Sequence, residues 1–175
     1  MTVRCEARAS IDVPADDIDV DTWIFGLSDA EYQACARGHR AAGTFVDEAG
    51  RGSINVESIG GNLLIQHYRP TRAERSHVVM HSPTSRIYLL HVVPAKAAVT
   101  WTLTTTRTTD TSCRLTCVVE VGLHPVLRAL GRLMAVRPLL QRHVDEEVRG
   151  FAADIARKLT LHPASAAAAT ARPSP

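Results

Sequence analysis

The chain has 175 residues, of which 45% are apolar and 22% charged, enough for one domain with a core and too few for two. Twenty basic residues against 18 acidic ones leave a formal charge of +2, a balance that argues against a strong field for nucleic acid or an acidic membrane. No stretch approaches the ~18 apolar residues of a membrane span and no signal segment opens the chain, so a soluble, cytoplasmic protein is expected.

The first strand is the clearest element. Cys5, Ala7, Ala9, Ile11 and Val13 alternate with Arg4, Glu6, Arg8, Ser10 and Asp12, which gives one buried and one wet face. Pro14 ends it, and the segment to Gly38 reads as two short helices. The second opens on Ser28-Asp29-Ala30-Glu31, a capping box in which the Ser28 hydroxyl accepts from the Glu31 amide and the Glu31 carboxylate accepts from the Ser28 amide. Such a cap contributes about 1 kcal/mol. Leu27 is placed to staple onto Tyr32.

From His39 to Val121 the pattern is nearly all strand, with candidates at 40–46, 52–59, 62–69, 76–82, 86–93, 98–106 and 113–121. Gly50, Gly60-Gly61, Pro83 and Asp110 separate them by hairpin-length gaps, so neighbours in sequence should pair antiparallel. Asn55 and Glu57 alternate with Ile54 and Val56 and read as solvated; His77 and His81 read the same way against Val78 and Met80. Thr100, Thr102 and Thr104 face opposite to Val99, Trp101 and Leu103. The run Tyr68–Arg75 is a basic loop, either a phosphate contact or a solvated connection. Cys113 and Cys117 share a face with Leu115, Val119 and Val121, where a free thiol acts as a small hydrophobe. With Cys5 and Cys35, the four cysteines lie too far apart for a CxxC motif.

A long amphipathic helix, roughly Pro125 to Leu159, closes the domain. Leu127, Leu130, Leu140, Val144, Val148, Phe151, Ile155 and Leu159 form its apolar stripe, and Pro138 predicts a kink or break near Val136. The domain is expected to span 1–161. Residues 162–175, rich in alanine and proline, read as a disordered tail.

This order of elements, with the closing segment Leu139-Leu140-Gln141-Arg142-His143-Val144-Asp145-Glu146-Glu147, resembles the helix-grip proteins of the START and birch-pollen-allergen-related superfamily, which includes polyketide cyclase/dehydrase and lipid-transport proteins. The resemblance covers residues 3 to 160. It implies an α+β fold in which a curved antiparallel sheet wraps the C-terminal helix around a cavity for a sterol, lipid, hormone or polyketide-like molecule. The superfamily has no universal catalytic residue to carry over. Eight strand candidates stand where it usually has seven, so 40–46 or 76–82 should be a loop or a bent extension.

Three polar residues are candidates for acid–base chemistry on such a ligand. His67 shares a strand face with Leu63 and Ile65 that reads as inward, and serves either as a general base or as a hydrogen-bonded core histidine. His91 shares a face with Ile87, Leu89 and Val93, but the opposite face, Tyr88, Leu90 and Val92, is equally apolar, so its direction stays open. Glu147 lies at the margin of the helix stripe one turn after His143, where both reach the mouth of a cavity or else pair with a neighbouring charge. Trp101 is a ligand contact or plain core. With it, Leu103, Ile65, Leu89, Leu140, Val144 and Phe151 are candidate wall residues. The histidines show no HxH or HExxH spacing, so no metal site is expected, and the sequence calls for no cofactor.

Two functions follow as expectations. The first is binding of a hydrophobic small molecule, in its sharper form with cyclisation or dehydration of a polyketide-like chain. The second is a non-enzymatic lipid-binding or protein-interaction module of the same fold, marked by a filled cavity in which Trp101 and Phe151 pack together. An aromatic content of 5% argues mildly against such packing. Oligomeric state stays open, a homodimer included.

Overall fold

A computed structural model describes residues 2–122 and 136–161. Seven strands, β1 (Thr2–Ile11), β2 (His39–Asp47), β3 (Gly50–Ile59), β4 (Asn62–Glu74), β5 (His77–Leu89), β6 (Val93–Arg107) and β7 (Cys113–Gly122), form one antiparallel sheet in the order β1-β7-β6-β5-β4-β3-β2. The two edge strands are therefore the first two in sequence, and residues 12–38 must cross the sheet's width to join them. They do so through a 3-10 turn (Ala15–Asp17) and two helices, α1 (Val20–Phe25) and α2 (Asp29–Cys35). The long helix α3 (Val136–Leu161) packs on the same face against β1, β7, β3 and α2. This is an α+β helix grip.

Short-range signals explain most boundaries. The Ser28 capping box is formed, with the Glu31 amide donating to Ser28 Oγ at 3.3 Å and the Ser28 amide donating to Glu31 Oε2 at 2.9 Å. Gly60 and Gly61 hold φ of +58° and +80°, the left-handed pair that a two-residue hairpin needs to match strand twist. Leu140, Val144, Val148, Phe151 and Ile155 of α3 are all buried, the stripe at spacings of three and four of a helix lying on a sheet. Pro138 falls in the first turn of α3, where a missing amide costs no internal hydrogen bond. The expected helix start at Pro125, its Leu127 and Leu130, and the tail from 162 lie outside the described residues.

Three expectations about the sheet are corrected. Segments 76–82 and 86–93 are not separate strands: β5 runs through Pro83, which sits exposed at a register shift between Ser82 and Ser85. The β4–β5 ladder is interrupted nearby, between Ile65 and Arg69, and there Ser82 Oγ accepts the His67 amide at 3.1 Å. The basic run Tyr68–Arg75 belongs mostly to β4. Its arginines are already partnered, Arg69 with Asp47, Arg72 with Glu74 and Arg75 with Asp19, which removes the phosphate-contact reading's free cations. Finally, β3 and β4 face the opposite way from expectation. Ser53, Asn55 and Glu57 of β3 and Leu64, Gln66 and Tyr68 of β4 are buried, while Ile54, Val56, Leu63 and Ile65 are half-buried on the outer face.

The remaining strands follow the sequence. Cys113, Leu115, Cys117, Val119 and Val121 point inward, and all four cysteines are buried and free. Val99, Trp101 and Leu103 are buried, while the outward Thr100 and Thr104 hydroxyls pair with His81 and His77 at 3.0 and 2.8 Å. Among the described residues, no helix is long and apolar enough to cross a membrane.

Candidate functional site

Where α3 crosses the ends of β2 and β3, four buried acid and imidazole side chains meet: His39 from the start of β2, Glu57 from β3, and His143 and Glu147 from α3. Each offers one ligand-type atom, and these atoms all lie within 4.8 Å of one another. His39 Nε2 stands 3.3 Å from Glu147 Oε1, and His143 Nε2 stands 3.7 Å from Glu57 Oε2. Among the described residues these histidines are the only basic partners of the two carboxylates.

The elements around the cluster fix it closely. Helix α2, set by its Ser28 cap, lays the Tyr32 ring on that of His39 with centroids 3.8 Å apart and planes 2° from parallel. The Tyr32 hydroxyl donates to Glu57 Oε1 at 2.6 Å, and Gln66 Nε2 donates to Glu57 Oε2 at 3.2 Å. The Tyr32 carbonyl lies 2.6 Å from His39 Nδ1, and since a carbonyl only accepts, that nitrogen carries a proton. Cys117 Sγ donates to Glu147 Oε2 at 3.5 Å and itself accepts from Trp101 Nε1 at 3.3 Å. Gly38 makes room for His143, because a Cβ there would lie 2.7 Å from its Nδ1.

The charges are mutually supporting. Burial pushes the Glu57 pKa up, but the positive ends of His143 and His39 and the bonds from Tyr32 and Gln66 outweigh it and leave Glu57 below the usual carboxylate range. Burial pulls His39 down, yet Glu147, 3.3 Å from its Nε2, and Glu57 behind it raise it overall. Burial, reinforced by Glu57 and Glu147, holds the Tyr32 hydroxyl protonated, and burial with Glu147 does the same for the Cys117 thiol.

Beside the cluster lies an internal cavity. Its walls are Ile59, Leu64, Tyr68, Val99, Trp101, Val119, Val121 and Leu140, and Glu57, Gln66, His143 and Glu147 close one side. About 20 Å³ is open to the centre of a water-sized sphere, roughly the space of one or two waters. The aromatic chain behind it is tight: Trp23–Phe151, Phe151–Trp101 and Trp101–Tyr68 centroids are 5.0, 5.7 and 5.8 Å apart. A packed aromatic core thus forms despite the low aromatic content.

The expected site residues divide. Glu147, His143, Trp101 and Leu140 come together at the cavity, and Leu103, Val144 and Phe151 are buried in the core around it. His67 is exposed on the outer face of β4, and Ile65 lies half-buried there, because β4 presents Leu64, Gln66 and Tyr68 inward instead. His91 is in no strand; it sits exposed in the β5–β6 turn with φ of +62°. Leu89, at the end of β5, packs partly buried against the core. Sequence reasoning missed Tyr32 as a site residue, His39, Gln66 and the burial of Glu57. The available signal was the polar alternation Ser53, Asn55, Glu57 itself, which in a strand next to the closing helix marks a hydrogen-bonded interior as readily as a wet face.

Among solved structures, the chain is similar to an aromatase/cyclase from Streptomyces sp. R1128, with a TM-score of 0.62 over 91% of this chain and 96% of that one at 9% identity. A START superfamily protein from Mycobacterium smegmatis matches with a TM-score of 0.57 over 89% and 98% of the two chains at 12% identity. The chain has the START-like helix-grip fold. A conserved protein from Geobacillus kaustophilus shares this helix-grip arrangement, with a TM-score of 0.62 over 89% and 96% at 10% identity. No family profile and no curated protein matches the sequence itself, so the likeness is one of architecture.

Proposed function

We propose that this helix-grip chain binds a small, largely apolar molecule carrying one polar group in the space between its sheet and α3. The observation that carries this reading is the two-sided lining of the cavity: aliphatic and aromatic walls from Ile59 to Leu140, and one wall of Glu57, Gln66, His143 and Glu147. Apolar enclosure with a few convergent polar groups is the usual chemistry of a small-molecule site. The fold shared with an aromatase/cyclase and a START protein supports the same location. A ligand beyond a few atoms requires side chains such as Trp101 and Leu140 to swing aside, so binding is coupled to opening of the interior.

In its enzymatic form the reading is a dehydration or cyclisation of a polyketide-like chain. A basic member of the cluster, Glu147 or His143, takes a proton from the carbon beside a carbonyl. A protonated member then delivers a proton to the departing hydroxyl, which leaves as water while the carbon–carbon double bond forms. His67 and His91 have no part in this form, since both are exposed away from the cavity.

A second reading, the non-enzymatic binding or interaction module, is favoured by the tight packing of Trp101 on Phe151 and by the small free volume. The two separate in one experiment: native mass spectrometry of freshly purified chain, followed by titration with aromatic polyketides and lipids while tryptophan emission is recorded. A discrete co-purifying apolar mass, or saturable quenching of tryptophan emission that persists in Trp23→Phe and so reports on the buried Trp101, supports the small-molecule site. No bound mass and no saturable response to the panel turns the weight to the interaction module.

A further inference from the structure

We propose that His39, Glu57, His143 and Glu147 together bind one divalent transition-metal ion of the zinc class at the polar side of the cavity. The inference stands on the cluster's own geometry and holds whether or not the cavity also takes an organic ligand.

The first reason is an unanswered pair of lone pairs. Nε2 of His39 and Nε2 of His143 are buried and have no hydrogen-bond partner. For His39 the state of the ring is constrained, because its Nδ1 donates to the Tyr32 carbonyl at 2.6 Å. With the ring protonated, Nε2 and Glu147 Oε1, 3.3 Å apart, form an ion pair; with the ring neutral, as metal binding requires, an unprotonated nitrogen faces that oxygen and two acceptors oppose each other. A cation between them resolves that opposition.

The second reason is size. A tetrahedral zinc with bonds of about 2.0–2.1 Å places its ligand atoms about 3.3–3.4 Å apart. The two nitrogen–oxygen edges here are 3.3 and 3.7 Å, and the widest separation in the set is at most 4.8 Å. Rotation of the glutamates by about an ångström closes the rest.

The third is charge and support. Two carboxylates with two neutral imidazoles carry a charge that one divalent ion cancels, in an interior where no lysine or arginine among the described residues reaches them. Three of the four ligands also have an orienting neighbour of the sort that metal ligands keep: the Tyr32 carbonyl on His39, the Tyr32 hydroxyl and Gln66 on Glu57, and the Cys117 thiol on Glu147. Two nitrogens and two oxygens suit zinc, iron or manganese rather than the all-oxygen shells of calcium and magnesium.

The test uses the full chain, purified in chelator and dialysed free of it, then titrated with Co²⁺ and Zn²⁺. One equivalent of Co²⁺ should give the intense visible bands of a four- or five-coordinate site, and Zn²⁺ should displace it. At free Zn²⁺ about a hundredfold above Kd, Tm should rise by about 5–10 °C. Glu147→Gln and His143→Gln, checked for folding by circular dichroism, should each weaken Zn²⁺ binding by at least about tenfold. His67→Ala, which alters only an exposed histidine, should not. Co²⁺ that keeps its aqueous spectrum with folded wild-type chain, or binding that survives both cluster variants, overturns the proposal. Apolar-ligand binding by a chain that takes no metal would overturn it too, and would leave the small-molecule reading intact.

Discussion

Tyr32 both stacks on His39 and hydrogen-bonds Glu57, so one side chain from α2 fixes two members of the buried cluster at once. Removing its hydroxyl keeps the stack and strands a buried carboxylate oxygen. Tyr32→Phe should therefore cost about 1–3 kcal/mol, read as a shift in urea midpoint. In a Glu57→Gln background the same change should cost clearly less, because the two groups share one interaction. Equal costs in both backgrounds would mean the bond contributes nothing to stability.

Gly150 of α3 lies directly over the C-terminal end of α2. A Cβ there would sit 2.0 Å from the Cys35 carbonyl oxygen and 2.6 Å from its Cα, backbone atoms that cannot turn away. Gly150→Ala should force the helices apart at a cost of about 1–3 kcal/mol or more, seen as a Tm lower by several degrees. Because α2 carries Tyr32, the variant should also loosen whatever the cluster holds.

Glu31 gives the fold an acid-sensitive joint. It closes the α2 cap and meets Lys158 of α3 at 3.1 Å. The bond from the Ser28 amide, more than burial opposes it, and then Lys158 hold its pKa at about 2 rather than 4.5. A depressed carboxylate stabilises the fold fully above its unfolded pKa, and the contribution is lost as pH falls from 4.5 through about 2. Thermal scans across that window should show a shallower loss for Glu31→Gln than for wild type. Identical slopes would place the acid sensitivity elsewhere.

The β5–β6 turn holds Leu90 and His91 at φ of +50° and +62°, a region that costs a non-glycine residue about 1–2 kcal/mol. His91 is exposed, so His91→Gly should relieve strain without losing packing. The net gain should be on the order of 0.5 kcal/mol once glycine's extra unfolded freedom is set against it. Chemical denaturation would register it, and ligand or metal binding should be unchanged.

Much of this architecture is legible in the residues. Strict alternation located β1 and β7, the Ser28 box located α2, and the leucine–valine stripe located α3. What the pattern could not supply was the facing of β3 and β4. A period of two identifies a strand but is symmetric between its faces, and β4 is apolar on both, with Leu63 and Ile65 on one side and Leu64 on the other. Hydropathy then sent Glu57 outward and His67 inward. The interior instead accepts Glu57 because Tyr32 and His143, distant in sequence, and Gln66 on the next strand partner it there. Local pattern rules failed at the one place where polar groups are gathered in the core, which is where a working site is expected to break them.

Strand β1 pairs along its whole length with β7, Thr2 opposite Gly122 and Ile11 opposite Cys113. During synthesis β1 is made before β7 and must wait for it. Until Gly122 has emerged, the hydrogen-bonding edge and the Cys5–Ile11 face of β1 stay uncovered, a long-range closure that slows folding. Between the making of β1 and of β7 that strand is an exposed aggregation hazard, and the arrival of Cys113–Gly122 ends that state.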